Sequence, residues 1–195
     1  MTVWSVEKYF GDLRELVERT LHSQGMLIER MARKITLLLR DGHKLLIMGN
    51  GGSASDAEHF AAELVGRFLK ERPALPVIAL TDNSSVMTAL GNDYGFEAVF
   101  RRQVEAFARK GDGIVAISTS GNSKNVIEGL ETAREIGCET FALLGRDGGK
   151  IAGMVDEPLV VPSYETPHIQ ELHIAVIHLL CQIVEETLWG EKARS

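Results

Sequence analysis

The stretch LLIMGNGGSASDAEHFAAELVGR, residues 45–67, joins an apolar strand, a loop rich in glycine and serine, and a helix. Such a loop presents backbone N–H groups to an anion, and the helix N-terminus adds a partial positive charge. His59 and Glu63 are four positions apart on the helix, so they share the face just beyond the loop. The stretch therefore predicts a site that holds a phosphorylated substrate and performs proton or metal chemistry on it.

The composition is that of an ordinary globular protein, with 45% hydrophobic and 25% charged residues in a chain of 195. The net charge of -6 argues against a nucleic-acid binder, which needs a basic surface. We see no signal peptide and no apolar run near the roughly 20 residues of a membrane span, so we expect a cytoplasmic protein with no membrane contact. Cys138 and Cys181 lack metal-type spacing, and we expect both to be reduced core residues.

After residue 42, short apolar runs alternate with amphipathic stretches, which predicts an α/β protein with a parallel sheet and helices on both faces. Strands buried on both faces are predicted at 44–48, 76–80, 113–117, 140–144 and 159–161. Helices are predicted at 7–21, 26–39, 54–69, 84–90, 96–108, 122–136 and about 167–188, with a short turn near 148–153. We expect Thr166 to cap the last helix and Pro167 to occupy its first helical position.

Three loops at the carboxyl ends of strands are candidates for ligand binding. The loops 49–55 and 118–123 each follow a strand and open a helix, and neither matches a dinucleotide fingerprint or a P-loop. The loop 118–123 offers four hydroxyls, which suit a phosphate. The alternative for both loops is an ordinary capped helix start, with Ser53 or Ser55 as the cap of the first. The loop 91–95 carries Asn92 and Asp93, which either bond sugar hydroxyls or form an Asx turn.

The last helix carries Gln170, His173 and His178 among apolar residues. Gln170 and His178 are eight positions apart and could converge on one point beside the helix. A histidine in an apolar helix is more often a hydrogen-bonded core residue, and the spacing does not match the zinc helix HExxH. Residue spacing therefore leaves open whether these side chains join His59 and Glu63 in one site.

Five motifs, GNGGSASDAEHFAAEL, GNDYGF, ISTSGNSKNVI, GRDGGKIAG and HIQELHIAVIHLL, occur in the order and at nearly the separations of the bacterial phosphoheptose isomerases, which the chain resembles. The resemblance implies a three-layer α/β sandwich with a five-stranded parallel sheet, the flavodoxin-like SIS fold. It implies a single domain over 1–195, with N-terminal helices (1–42) that pack in an oligomer and a core with the C-terminal helix (43–195). It also implies a homotetramer with active sites at the subunit interfaces.

The family interconverts sedoheptulose 7-phosphate and D-glycero-D-manno-heptose 7-phosphate, the first step toward ADP-heptose for the lipopolysaccharide inner core. The resemblance implies Glu63 as the base and His178 as the acid of a proton transfer through an enediol or enediolate. It implies one zinc ion per subunit, held by His59, Glu63, Gln170 and His178. The implied substrate contacts are Asn50, Gly51, Gly52, Ser53, His59, Glu63, Asn92, Asp93, Ser118, Thr119, Ser120, Ser123 and Gln170.

Two details of the resemblance leave questions. A glutamate that binds zinc is less free to act as a base, so the metal is either catalytic or structural. Many members of the family have a charged residue near positions 167 and 168 that could reach the site. Pro167 has no charged group and cannot make such a contact. Substrate positioning at this point therefore differs from the family pattern.

Three other functions compete with this interpretation. A related non-catalytic SIS protein binds the replication initiator, but it matches the enzyme poorly at the acid and base positions, where this chain has Glu63 and His178. A sugar-phosphate-sensing regulatory module is usually fused to a DNA-binding domain, which this sequence lacks. Another aldose–ketose phosphate isomerase also remains open, since the loops do not set the length of the sugar.

Overall fold

The computed structural model describes residues 5–190, and its centre is a sheet of five parallel strands. The strands are β1 (Leu45–Gly49), β2 (Val77–Ala79), β3 (Gly113–Ser118), β4 (Glu139–Gly145) and β5 (Glu157–Val161). Their order is β2-β1-β3-β4-β5, with every neighbouring pair parallel. The five predicted strands and their parallel arrangement are confirmed.

Helices cover both faces of the sheet. They are α1 (Val6–Arg40), α2 (Gly52–Val65), α3 (Ser84–Tyr94), α4 (Val99–Phe107, after a 3-10 turn at Phe96–Ala98), α5 (Lys124–Ile136), α6 (Gly149–Ala152) and α7 (Thr166–Trp189). Leu45 and Ile47 pack with α1, α2 and α7, whereas Leu46 and Met48 pack with α4 and α5 on the other face. This alternation gives the predicted three-layer sandwich.

The edge strands depart from the prediction that every strand is buried on both faces. The three central strands are buried almost throughout, but β2 and β5 alternate between buried and half-buried positions. A helix covers only part of an edge strand, so one of its faces stays near solvent.

The prediction of two N-terminal helices is wrong, because α1 is one helix of 35 residues. Neither Ser23 nor Gly25 interrupts it. The Ser23 hydroxyl donates to the Arg19 carbonyl one turn earlier, at 2.8 Å, so the polar side chain is satisfied within the helix. Ile28 and Met31 then bury the second half of α1 against α7 and the sheet, which outweighs the weak helix propensity of glycine.

Three predicted boundaries also change. The helix α3 continues to Tyr94, so Asn92 and Asp93 lie in its last turn and the predicted loop 91–95 is wrong. Glu165 is the N-cap of α7, so Thr166 is the first helical residue and not the cap, and Pro167 takes the second position in place of the predicted first. The helix α2 ends at Val65, and residues 66–76 connect it to β2 without regular structure.

By length and composition, α7 could cross a membrane, contrary to the expectation that no apolar run is long enough. Its contacts show instead that it is a core helix. It packs along α1 and α2, and it buries His173 and Glu185 with hydrogen-bond partners inside the protein. Its apolar residues are therefore accounted for by the protein core.

Both cysteines are free and buried, as predicted. Burial raises the pKa of Cys138 to about 11, and it raises the pKa of Cys181 further. Both thiols are therefore uncharged at neutral pH and behave as small apolar core residues.

Candidate active site

The two predicted phosphate loops follow β1 and β3, which are neighbours in the sheet. The order of the strands reverses between them, and ligands of such sheets bind at this switch point. The side chains of Asn50 and Asn125 exchange two hydrogen bonds of 2.9 Å across the gap. The amide pair therefore holds the two loops side by side.

Hydroxyls of the loop after β3 bond to one another and to the loop backbone. Ser118 Oγ lies 3.1 Å from Ser123 Oγ and accepts a bond from the Gly121 N–H at 3.1 Å. Ser123 is the N-cap of α5, yet its side chain bonds no N–H of the first turn. Likewise, α2 begins after Gly51, which has no capping side chain, so the alternative in which Ser53 or Ser55 caps the helix is wrong. Both helix starts lack side-chain caps, which favours anion binding over the capped-start alternative.

The loop after β4 supports the phosphate loop from the side. Asn122 Oδ1 accepts a bond from the Lys150 N–H at 3.1 Å, and the Gly121 carbonyl accepts one from the Ile151 N–H at 3.0 Å. Gly121 has φ +63°, and a Cβ there would lie 1.9 Å from the Gly148 carbonyl oxygen. Only glycine fits this close approach of two backbones.

His59, Glu63 and His178 meet where α7 packs along α2. His59 Nε2 lies 3.1 Å from Glu63 Oε1 and 3.1 Å from His178 Nε2. One ligand atom of each residue lies within 4.8 Å of the others, so the three could hold a metal ion. The helix α2 supplies two of them one turn apart, and α7 supplies the third because it packs along α2.

This cluster fits zinc chemically. Two imidazole nitrogens and a carboxylate oxygen are common zinc donors, and bonds of about 2.0 Å in a tetrahedron separate the donor atoms by about 3.3 Å. The two separations of 3.1 Å are close to that value. Gln170 does not join the three side chains, since its amide lies against Gly52 in the first turn of α2. That turn is about 10 Å along the helix from His59, so Gln170 as a ligand stays a prediction.

Asp56 lies one turn before His59 on α2 and was not singled out from the sequence. Burial raises the pKa of Asp56 to about 6, although the nearby His59 opposes the shift. In the part of the chain that the structure describes, Asp56 Oδ2 is buried and has no hydrogen-bond partner. A carboxyl group with a raised pKa beside a histidine pair is typical of functional sites.

The remaining predicted residues are placed as follows. Ser53 is buried in the first turn of α2, and Thr119 and Ser120 are half-buried at the carboxyl end of β3. Asn92 and Asp93 are exposed and bond to each other at 2.7 Å. The side chain that reaches the start of α5 is that of Glu97, whose Oε1 lies 3.8 Å from Lys124 Nζ.

His173 and His168 are core residues, in line with the alternative weighed for histidines on this helix. His173 Nε2 donates to the Leu144 carbonyl at 3.1 Å, and burial lowers its pKa to about 4. His168 Nδ1 lies 3.0 Å from Glu171 Oε2, and Glu171 also accepts a bond of 2.7 Å from the Tyr9 hydroxyl. Only His178 of the histidines on α7 reaches the cluster with His59 and Glu63.

The chain matches known proteins over nearly its whole length. The SIS domain family matches residues 8–145. The phosphoheptose isomerase of Syntrophotalea carbinolica is 52% identical over 189 residues, covering 97% of this chain and 96% of that protein. The phosphoheptose isomerase of Geobacter sulfurreducens is 58% identical over 175 residues, covering 90% and 91%. This chain belongs to the phosphoheptose isomerase family.

A solved phosphoheptose isomerase agrees with this assignment. The structure of the enzyme from Neisseria gonorrhoeae superposes with a TM-score of 0.88 at 43% identity, covering 93% of this chain and 97% of that one. The curated relatives carry the name of the enzyme, and none of the comparisons supports the adaptor alternative. The family resemblance noted from the sequence motifs is confirmed.

Besides Asp56, sequence reasoning missed two residues in this site. Asn125 pairs with Asn50, and Phe68 stacks on His178 at a ring-centroid distance of 5.7 Å. Asn125 lies in the motif ISTSGNSKNVI but was given no role, and Phe68 lies outside every motif named from the sequence. The position of Asn125 in the first turn after a candidate phosphate loop is the one signal that could have marked it.

Proposed function

We propose that the protein is an aldose–ketose isomerase that converts sedoheptulose 7-phosphate to D-glycero-D-manno-heptose 7-phosphate. The observation that carries the proposal is the convergence of His59, Glu63 and His178, two of them on the helix that follows the loop after β1, in a chain of the phosphoheptose isomerase family. The reaction would be the first step toward ADP-heptose for the lipopolysaccharide inner core, as the family resemblance implies.

The loops after β1 and β3 would bind the phosphate group of the sugar. Ser118, Thr119, Ser120 and Ser123 would supply hydroxyls, and the uncapped start of α5 would supply N–H groups and a partial positive charge. Asn50, Gly51, Gly52 and Ser53 would line the adjoining part of the sugar site. A site built from backbone donors and hydroxyls suits a chain with a net charge of -6.

Glu63 would act as the base and His178 as the acid. Isomerisation takes a proton from C1 of the ketose and returns one to C2, through an enediol or enediolate. Glu63 Oε1 and His178 Nε2 flank His59 Nε2, so a carboxylate and an imidazole face one small volume. A zinc ion held by His59, Glu63 and His178, with Gln170 as a further ligand, would polarise the carbonyl group as a Lewis acid.

We further propose a cytoplasmic homotetramer with active sites at subunit interfaces. Exposed apolar side chains on α1 support association, since Val6, Phe10, Val17 and Leu21 lie within about 60° of one another around the helix. A stripe of this kind on one subunit is typical of an interface between copies of a chain.

The direct test is turnover of sedoheptulose 7-phosphate, followed by detection of the heptose 7-phosphate, with the protein loaded with zinc and then treated with a chelator. We expect turnover with zinc and a large loss after chelation. Equal turnover in both states would remove zinc from the proposal. No turnover from a folded tetramer in either state would overturn the proposed activity.

A further inference from the structure

The connection after α2 is fixed to α7 by one buried carboxylate. Glu185 Oε1 accepts a bond of 2.8 Å from the Phe68 N–H, and Oε2 accepts bonds of 2.8 Å from Leu69 and 3.0 Å from Lys70. Burial would raise the pKa of Glu185, but these bonds and a bond from Arg72 outweigh it and keep the pKa below its usual range. A carboxylate that stays ionised here holds the backbone of the connection in one conformation.

Arg72 ties the same carboxylate to the last turn of α2. Its Nε donates to Glu185 Oε1 at 2.9 Å, and both side chains are almost fully buried. Its two remaining nitrogens donate to the carbonyls of Glu63, at 2.8 Å, and Leu64, at 2.6 Å. The ion pair therefore joins the turn that carries Glu63 to the helix that carries His178.

Phe68 lies on the connection that this ion pair holds. Its ring stacks on the His178 imidazole at 5.7 Å between centroids and 23° between planes. On another side, the His59 ring lies 5.1 Å from His178 at a tilt of 56°. The His178 imidazole therefore lies between the rings of Phe68 and His59.

We propose that Phe68 is a positioning residue for His178, held in place by the Arg72–Glu185 ion pair, and that it orients the imidazole toward His59 and Glu63. The inference rests on the proposed function only for its kinetic readout. Without the aromatic face, His178 gains rotamers that point away from Glu63, and misplacement by about 1 Å can cost about a hundredfold in rate. Phe68 acts through His178 and takes no part in the proton transfer itself.

The test compares Phe68→Leu, Phe68→Tyr and a control, Phe107→Leu, at a partly exposed phenylalanine on the opposite face of the sheet. For each protein we would measure kcat, KM and the zinc dissociation constant by competition with a chelator. We expect Phe68→Leu to lower kcat about tenfold with KM within twofold, and to weaken zinc binding about fivefold. Phe68→Tyr keeps the stacked ring and should stay near wild type, as should Phe107→Leu.

Several results would overturn the proposal. One is a Phe68→Leu variant with kcat and zinc affinity within twofold of wild type, and another is a Phe68→Tyr variant that loses as much as Phe68→Leu. If wild type turns over no sugar, the proposed function fails and the zinc affinities still decide the role of Phe68. If wild type is active but binds no zinc, the kcat values of the variants decide the role of Phe68. A wild type that neither binds zinc nor turns over the sugar contradicts both proposals.

Discussion

Gly121 illustrates how a single residue determines the shape of the loop after β3. A Cβ at this position would lie 1.9 Å from the Gly148 carbonyl oxygen, in a backbone with φ +63°. We expect Gly121→Ala to lower the free energy of unfolding by about 3 kcal/mol, because both strain and overlap oppose it. Chemical denaturation would measure the loss.

The control for this change is Gly153→Ala. Its added Cβ would meet nothing nearer than the Lys150 carbonyl oxygen, at 3.9 Å, and its φ of -84° suits any residue. We expect this variant to stay within about 0.5 kcal/mol of wild type. Equal losses in the two variants would show that the close approach at Gly121 does not matter.

His173 makes the stability of the protein depend on pH. Burial lowers the pKa of His173 to about 4 in the folded chain, against its ordinary value of 6.5, so the unfolded chain binds the proton more readily between these values. The folded chain has its full free energy of unfolding above pH 6.5, where His173 is neutral in both states. It loses part of that free energy as the pH falls toward 4, because only the unfolded chain binds the proton there. Between pH 6.5 and 4.5 we expect a loss of about 2 kcal/mol from His173 alone.

Comparison with His173→Gln isolates this contribution. The glutamine keeps a donor for the Leu144 carbonyl but does not titrate, whereas the opposite effect of Asp56, whose pKa is raised, is present in both proteins. We expect denaturant unfolding to show a steeper loss in wild type than in the variant. Parallel stability curves for the two proteins would contradict the assignment.

At the scale of single elements, the connection between α2 and α7 through the Arg72–Glu185 ion pair depends on Glu185. Replacing it with Gln leaves Arg72 as a buried cation without its counter-charge. We expect Glu185→Gln to lower the free energy of unfolding by about 3 to 5 kcal/mol, as for other broken buried ion pairs. The matched control is Glu186→Gln at the neighbouring exposed position, which should change stability by less than about 0.5 kcal/mol. A similar stability in both variants would show that the Arg72–Glu185 ion pair is not needed for stability.

The elements also show what local sequence can predict. Buried strands are short and apolar, so all five were predicted within about two residues. The break predicted near Ser23 and Gly25 was wrong because packing against α7 keeps α1 continuous. The loop at Asn92 and Asp93 was wrong for a related reason, since both residues accept a helical backbone at the end of α3.

The candidate site shows the same limit. His59 and Glu63 were predicted as neighbours because one turn of helix joins them. His178 is 119 positions from His59, so only the packing of α7 on α2 brings them together, and spacing alone had left this open. The hydrogen bonds of Asn125 and Glu185 likewise depend on contacts between distant segments.

At the scale of the whole molecule, the exposed stripe on α1 should control assembly. Leu21 is 68% exposed in the single chain, and a charge there would have to be buried in an interface. We expect Leu21→Glu to convert the proposed tetramer to a smaller species, measured by sedimentation velocity. Met26→Glu is the control, because Met26 is 86% exposed on another face of α1 and should leave assembly unchanged. An unchanged mass for Leu21→Glu would contradict the proposed interface.

In the proposed reaction, Glu63 takes a proton from a sugar phosphate held by the loops after β1 and β3. The most direct measurement is hydrogen exchange at C1 of sedoheptulose 7-phosphate in deuterated water, followed by NMR for wild type and Glu63→Gln. We expect exchange in wild type to be faster by about a thousandfold, with the substrate still bound by the variant in calorimetry. Exchange by Glu63→Gln at the wild-type rate would contradict the account and move the base to another residue.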